Sequence, residues 1–389
     1  MTGAGTTVGA RHLPDQRGLF DLPPSVTYLD CAYIAPQLRS VTEVGQRAVT
    51  RKAHPWEIRQ EDFFAGADQL RERFATLVNG DADGVAIMPS VSYGISTAAA
   101  QVDPDRDGEI IVLADQFPSN VYPWRELAEQ SSLRVRPVAR PADDDWTSAL
   151  LEVIGRSTAV VAVPPCHWID GTVVDLEQVG AAAREVGAMF VVDATQSVGA
   201  VPFDVSTVEP DVLVTAAYKW LLGPYSIALA WFHPRQRHGR PIEHSWMTRA
   251  DSQDFSRLTV LTDEYRPGAR RYDVGETSDF VLVPMATAAV DQLLTWQIER
   301  VTASCRRLTD AVAEAGQELG MTVPAPAFRS PHLIGLRLPD GLDSQTVAAS
   351  LRASDIHVSV RGRSIRVSPH VYNDFDDVAR LSETLRNLT

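Results

Sequence analysis

The segment MFVVDATQSVGAVPFDVSTVEPDVLVTAAYKWLLGP, residues 189–224, decides how the chain is read. Its first apolar run, MFVVD, ends on a carboxylate, Asp193. Open α/β sheets place ligand-binding groups at that point, in the crevice beyond the carboxyl ends of their strands. A second run, DVLVTAAY, leads straight into Lys219, which is followed by Trp220, Leu221, Leu222, Gly223 and Pro224. An ammonium bounded by apolar and aromatic residues is costly to desolvate, so burial lowers its pKa and favours the neutral amine that attacks a carbonyl carbon. Taken alone, Asp193 reads equally well as a solvated loop acid and Lys219 as a snorkelling surface lysine. Together they are more specific, because their interval of 26 residues fits two strands and the connection between them.

Outward from this segment, short β-branched runs alternate with amphipathic stretches. GEIIVLAD (108–115) precedes WRELAEQ (124–130), STAVVAVPP (157–165) precedes DLEQVGAAAREVG (175–187), and SIALAWF (226–232) follows the lysine. Runs that are apolar almost throughout belong to the interior of a mostly parallel sheet with helices on both faces, which predicts an α/β architecture. After Pro284 the pattern becomes helical from Met285 to a stop at Gly320. It continues with short strands in HLIGLRLP, HVSVRG and SIRVSPH, and with helices in SQTVAASLRAS and DFDDVARLSETLRNL. The expected organisation is a flexible N-terminal lead-in over residues 1–30, its first dozen residues mobile, a large domain over 31–285 and a smaller α+β domain over 286–389.

Composition narrows the function classes. A chain of 389 residues with 44% apolar content buries a full core, and a formal charge of -14 repels phosphate backbones, which sets nucleic-acid partners aside. Cys31, Cys166 and Cys305 are scattered and odd in number, so a reducing cytoplasm is expected and neither a disulfide framework nor a zinc site is suggested. No stretch reaches the roughly 18 apolar residues of a spanning helix, and none of the strands is followed by the GxGxxG of a dinucleotide site. An aspartate and a buried amine at neighbouring strand ends suit pyridoxal 5'-phosphate, whose ring nitrogen needs an acid opposite it to act as an electron sink and whose aldehyde needs a lysine.

DATQ followed by AAYKWLLGP resembles the class V aminotransferase family, which includes cysteine desulfurases, kynureninases and isopenicillin N epimerases. The likeness runs from about Tyr28 to the last helix. The resemblance implies that Asp193 pairs with the cofactor's ring nitrogen, that Lys219 carries the cofactor, that Tyr218 contacts the phosphate and that Gln196 lies near the phenolic oxygen. In MPSVSYGIS (88–96), small residues open a helical stretch and present N–H groups to a phosphate; the resemblance assigns Val91, through its backbone, and Ser92 to that contact. In DQFPSNVYPW (115–124) it makes Phe117 the ring that stacks on the cofactor, where ordinary core is the bland alternative. VPPCHWIDGTVVDL (163–176) resembles the loop near the cofactor hydroxyl, with Trp168 where desulfurases tend to have asparagine and with His167 beside it as a candidate acid or base.

In SIRVSPHVYNDFDDV (364–378) the matching arginine is Arg366, whose guanidinium fork suits the substrate carboxylate; Arg361 and Arg363, by strand alternation and loop position, are expected on the surface. RRYDVGETSDF (270–280) resembles the loop that enters the partner's site, so Gly275 to Thr277 is expected to touch the neighbour's phosphate in a homodimer with shared active sites.

The stretch HVSVRGRSIRVS (357–368) lacks the nucleophilic cysteine that desulfurases carry before the arginine strand, and Cys31 in YLDCAYIAP reads as a packed thiol. Three reactions of an amino acid or amino-acid conjugate remain open through a common external aldimine: β-elimination with C–S cleavage of a cysteine conjugate, transamination, and epimerisation. The last needs a second base, for which Tyr33, His167 and His370 are candidates. β-Elimination is preferred, with Trp168 and Trp246 suggesting a large substrate.

Overall fold

The computed structural model describes residues 11–388. Of the dozen N-terminal residues expected to be mobile, the first ten lie outside the described residues. From Leu13 onward the lead-in is packed: Leu13 and Phe20 are buried in the main apolar core and Thr27 is fully covered. The stretch expected to be flexible is therefore part of the fold from that point.

Twelve strands form among the described residues: β1 (Thr27–Tyr28), β2 (Val85–Met88), β3 (Gly108–Leu113), β4 (Leu133–Val138), β5 (Thr158–Val163), β6 (Met189–Asp193), β7 (Val212–Ala216), β8 (Ala228–Phe232), β9 (Ile334–Arg337), β10 (Ile356–His357), β11 (Ser359–Arg361) and β12 (Ser364–Val367). Seven of them make one sheet in the order β2-β8-β7-β6-β5-β3-β4. The run from β7 to β4 is parallel, whereas β8 is antiparallel to both β7 and β2. The sheet is mostly parallel with helices on both faces, as the apolar runs predicted.

Alternate residues of each central strand feed two cores, because successive side chains point to opposite faces. Ile111, Val161, Val192 and Leu213 pack with the helices Asp62–Leu77, Leu176–Glu185 and Leu282–Trp296 on one side. Ile110, Val160, Val191 and Val214 pack with the helix Val91–Ala99 and Trp124 on the other. Gly94 lets that helix lie flush on β7, since a Cβ there would stand 2.7 Å from Val214 Cγ1. The close approach brings the helix N-terminus to the carboxyl edge of the sheet.

The C-terminal part has its own antiparallel sheet, β11-β12-β9, and its own core of Leu308, Val312, Leu336, Leu351, Ile365 and Leu381. β1 pairs with β10, so the chain start is tied to this part. The helical run expected from Met285 to Gly320 is two helices, Leu282–Trp296 and Ile298–Glu318, broken at Gln297, whose φ is 65°. The first contributes to the main core; the second contributes to it as well through Ile298, Val301 and Cys305, and then, through Leu308 and Val312, to the C-terminal core. The division expected at residue 285 thus cuts through the first helix, while the change from one core to the other falls within the second, between Cys305 and Leu308. No helix of the described residues is long and apolar enough to cross a membrane.

Candidate active site

The carboxyl ends of β2, β3, β5, β6 and β7, with the start of β8, open into a cavity of about 230 Å³. At one end lies the N-terminus of the helix Val91–Ala99. Ser90 caps it by accepting from the Tyr93 N–H at 3.2 Å, and the Ser90 and Ser92 hydroxyls stand 2.9 Å apart. Val91 and Ser92 line the cavity here, so free N–H groups and the positive end of the helix dipole face it.

Asp193 and Lys219 share the floor. They are only 7% and 6% exposed, and both line the cavity. The loop after each strand is pinned to the other: Gly199 (φ 102°) passes so near the Trp220 carbonyl that a Cβ would stand 2.2 Å from its oxygen. The Trp220 indole donates to Gln196 Oε1 at 2.9 Å, and Gln196 Nε2 donates to the Ala32 carbonyl at 3.1 Å. His332 donates from Nε2 to the Gln196 carbonyl and meets the Trp220 ring edge-on, with centroids 4.5 Å apart. Leu222 (φ 56°) and Ser226 (φ 64°) adopt left-handed backbone in the turn after the lysine, a conformation that non-glycine residues hold only when their surroundings enforce it.

Burial dominates the electrostatics. It lowers the Lys219 pKa to about 8, the positive charge of Arg366 adds to the effect, and Asp193 opposes it. Burial also raises the Asp193 pKa, against which the adjoining Thr195 and the charge on Lys219 act. Lys219 Nζ stands 5.3 Å from the centre of the Phe117 ring and 5.5 Å from that of Tyr218. Phe117 is 38% exposed and lines the cavity, so it is a ring presented to the opening rather than ordinary core. Trp168 meets it edge-on at 5.4 Å and is held by its indole N–H donating to the Asp115 carbonyl at 2.7 Å.

Several expected residues are not brought to this cavity. His167 turns away: its ring stacks on Trp146 at 5.5 Å, its Nε2 bonds the Ala114 carbonyl at 3.2 Å, and its Nδ1 accepts from the Ile169 N–H. With both nitrogens engaged outside the cavity, the expected role for His167 as acid, base or substrate contact is corrected to a structural one. Tyr33 is 59% exposed and absent from the cavity wall. His370 is fully buried among Trp220, Trp296 and Tyr372, away from the opening. Trp246 packs on Phe63, Phe64 and Phe255 instead of lining the cavity. Gly275 and Thr277 lie outside the wall in the same chain: Ser245 Oγ donates to the Gly275 carbonyl and Thr277 Oγ1 to that of Val274. Cys31 is fully buried, as a packed thiol should be.

Arg366 is also buried and absent from the cavity wall, and its fork is already engaged. Nη2 donates to Asp30 at 3.3 Å and to Ser359 at 3.2 Å, and Nη1 donates to the Trp168 carbonyl at 3.0 Å, which leaves Nε without a partner. The expectation that Arg361 is a surface charge is overturned by the hairpin register. Ser359 faces Arg366 across the ladder, so Arg361, two residues on, shares the face of Arg366. Its guanidinium lies 5.3 Å from the Trp168 ring centre, and its Nε is buried without a partner. Arg363 pairs with exposed Asp340, as expected of a surface charge.

Sequence reasoning also passed over Asp30, Thr195, Cys166 and Tyr225. The last three line the cavity, Thr195 with a buried hydroxyl that has no partner. Only Thr195 was within reach of a sequence signal, standing two residues past the strand-end aspartate.

A buried carboxylate and amine at adjacent strand ends, facing a helix N-terminus across an aromatic-walled cavity, are the geometry of the fold type I pyridoxal 5'-phosphate enzymes. Within that class the chain belongs to the class V aminotransferase family, which it matches over residues 28–387. It is similar to the uncharacterised aminotransferase YcbU of Bacillus subtilis (strain 168), 25% identical over 376 residues that cover 94% of this chain and 96% of the relative. It is as similar, at 25% identity, to the isopenicillin N epimerase of Streptomyces clavuligerus, with 96% and 98% covered, and to the kynureninase of Burkholderia mallei (strain SAVP1), with 96% and 91% covered.

Among solved structures, the cystine C–S lyase C-DES in complex with its product cysteine persulfide superposes with a TM-score of 0.86 at 17% identity, covering 94% of this chain and 98% of that one. A mutant of the same lyase with glycine covalently linked to its pyridoxal phosphate gives 0.88 at 17%, covering 97% and 100%. The apo cysteine desulfurase of Thermococcus onnurineus NA1 gives 0.84 at 20%, covering 97% and 99%. The protein is thus a pyridoxal 5'-phosphate-dependent enzyme, a transferase or a lyase.

Proposed function

We propose that the protein cleaves the C–S bond of a cysteine conjugate by β-elimination, releasing a free thiol and aminoacrylate, which water hydrolyses to pyruvate and ammonia. The observation that carries this reading is that, among the described residues, Lys219 is the one amine or imidazole in the cavity wall, with His167 and His370 engaged or buried elsewhere. Elimination asks for one base at the substrate α-carbon, whereas epimerisation asks for two on opposite faces. The apolar wall of Phe117 and Trp168 suits a bulky sulfur substituent, and the likeness in fold to a cystine C–S lyase supports the same reaction.

The donor set fits the cofactor: a helix N-terminus for its phosphate, a ring for its face, a buried acid and a buried amine. Pyridoxal 5'-phosphate supplies, when bound, an aldehyde for the substrate amine and a ring that takes up the electrons of the broken α-carbon bond. The Val91 amide, Ser92 and Tyr218 would hold the phosphate, Phe117 would lie against the ring and Trp168 would close the wall beside it. Gln196, its amide oriented by Trp220 and Ala32, would serve the phenolic oxygen. Asp193 would hold a proton at the ring nitrogen. Lys219 Nζ would hold the cofactor and would take the proton from the substrate α-carbon, with the thiolate leaving from the β-carbon. The guanidinium of Arg366, neutralised by Asp30, and that of Arg361 together receive the α-carboxylate through their uncommitted Nε–H groups.

Two copies of the chain complete two sites, with Gly275–Thr277 of one protomer reaching the phosphate of the other. Three buried, unpaired thiols are consistent with a cytoplasmic setting.

Incubation of the loaded protein with a panel of cysteine S-conjugates tests the reaction. Pyruvate and thiol should appear in equal amounts. Amino-group transfer without pyruvate, or loss of optical activity without consumption, would assign transamination or epimerisation instead and overturn the proposal.

A further inference from the structure

Asp193 is the acid on which the electron sink depends, and it is almost wholly buried. A carboxylate in such a place keeps its charge only if hydrogen-bond donors are aimed at it. One donor is fixed: the Thr195 amide gives its proton to Asp193 Oδ1 at 3.1 Å. The Thr195 side chain adds a second feature. It lines the cavity and is only 8% exposed, and its hydroxyl oxygen is buried without a hydrogen-bond partner among the described residues. Buried hydroxyls are seldom left so, because an unsatisfied one costs the desolvation of a polar group with no return.

The other polar groups of the floor are committed. Gln196 is tied at both ends of its amide to Trp220 and Ala32. Cys166 Sγ faces the Gln196 carbonyl at 3.5 Å and Ser197 Oγ at 3.7 Å, which leaves it no role at Asp193. The hydroxyl of Thr195 is a free rotor beside the carboxylate its own amide already holds.

We propose that Thr195 is a positioning residue for the cofactor ring: its amide holds Asp193, and its hydroxyl, committed to no other group, turns to the same carboxylate when the cofactor is bound, so that Asp193 stays ionised at one rotation and the ring nitrogen keeps its proton. The inference rests on the cavity being the pyridoxal phosphate site. It makes the residue two places past the strand-end aspartate part of the electron-sink machinery. A hydrogen bond to a charged group is strong enough that removing this one should weaken cofactor binding by about tenfold or more.

The test uses the full chain as the unmodified protein and as Thr195→Ser, Thr195→Val and Thr195→Ala, each loaded with cofactor isotope-labelled at the ring nitrogen. Nitrogen NMR reports whether that atom is protonated, and fluorescence titration of the cofactor-free protein gives the Kd. The isosteric valine variant preserves shape and removes only the hydroxyl; should it fail to fold, the alanine variant takes the same two measurements. The expected result is a protonated ring nitrogen and unchanged Kd in the unmodified and serine proteins. In the valine protein the resonance should move towards the unprotonated form, with Kd about tenfold higher. A valine protein whose ring nitrogen stays protonated, or a serine protein that fails as the valine protein does, overturns the inference. An unmodified protein that takes up no cofactor overturns the reading of the cavity itself, a separate failure visible before any variant is made.

Discussion

Arg366 and Asp30 meet at 3.3 Å, both almost wholly buried, although 336 positions separate them in the chain. Ser359 donates to both carboxylate oxygens of Asp30, at 2.9 and 2.7 Å, and so joins the first strand region to the last hairpin. Removing one partner of such a pair leaves an uncompensated buried charge, which costs about 3 to 5 kcal/mol. Asp30→Ala should therefore lower the stability by that order, read as a fall in the urea midpoint at unchanged slope. An unchanged midpoint would mean that the pair does not join the two parts of the chain.

Lys219 should make the cofactor-free protein less stable than it would be with a neutral side chain. The folded state holds the ammonium with a pKa of about 8, against an ordinary value of 10.5. Between those values the unfolded chain binds the proton and the folded one does not, so stability rises with pH across that window and the full penalty is present below it. Near neutral pH the apo form of Lys219→Met should be more stable than the unmodified apo protein by about 3 kcal/mol. The difference should vanish as pH rises towards 10.5. Urea denaturation of the two apo proteins across that range measures it, and equal stability at neutral pH would count against a buried amine.

His332 and His370 should make the protein sensitive to acid. Burial lowers their pKa values to about 4 and about 3 from an ordinary 6.5, and neither His370 nitrogen has a partner. Below 6.5 the unfolded chain takes up protons that the folded one refuses, so stability should fall as pH drops towards 4, by about 3 kcal/mol or more per histidine. Replacing His370 by phenylalanine keeps a ring between Trp220 and Tyr372 and should flatten that fall. Melting curves over this range decide it; an equally steep fall in the variant would place the acid sensitivity elsewhere.

What could be read in advance follows from how local the signals are. Asp193 and Lys219 announced themselves because one ends an apolar run and the other follows one directly, at an interval that two strands and their connection span. The helix at Val91 was legible through the small residues that open it, and Phe117 through the family resemblance. Arg361 was misjudged because its face depends on the register of the hairpin, set by the turn at Gly362 (φ 58°), and counting along the sequence from Arg366 gives the wrong parity. His167 sits in an irregular stretch where no period says which way a side chain points; its stacking partner Trp146 lies in another helix. The break at Gln297 is hidden because apolar spacing continues across it. The Asp30 partnership is a property of packing between distant segments, which no local pattern encodes.

Lys219 as the carrier of the cofactor is the claim on which the rest depends, and the composition makes it unusually easy to test. The chain contains two lysines, Lys52 and Lys219, the first exposed at the end of a surface helix and the second on the cavity floor. Borohydride reduction of the loaded yellow protein, followed by digestion and mass spectrometry, should place the whole pyridoxyl label on the peptide containing Lys219. Label on Lys52, or none on either, would contradict the account.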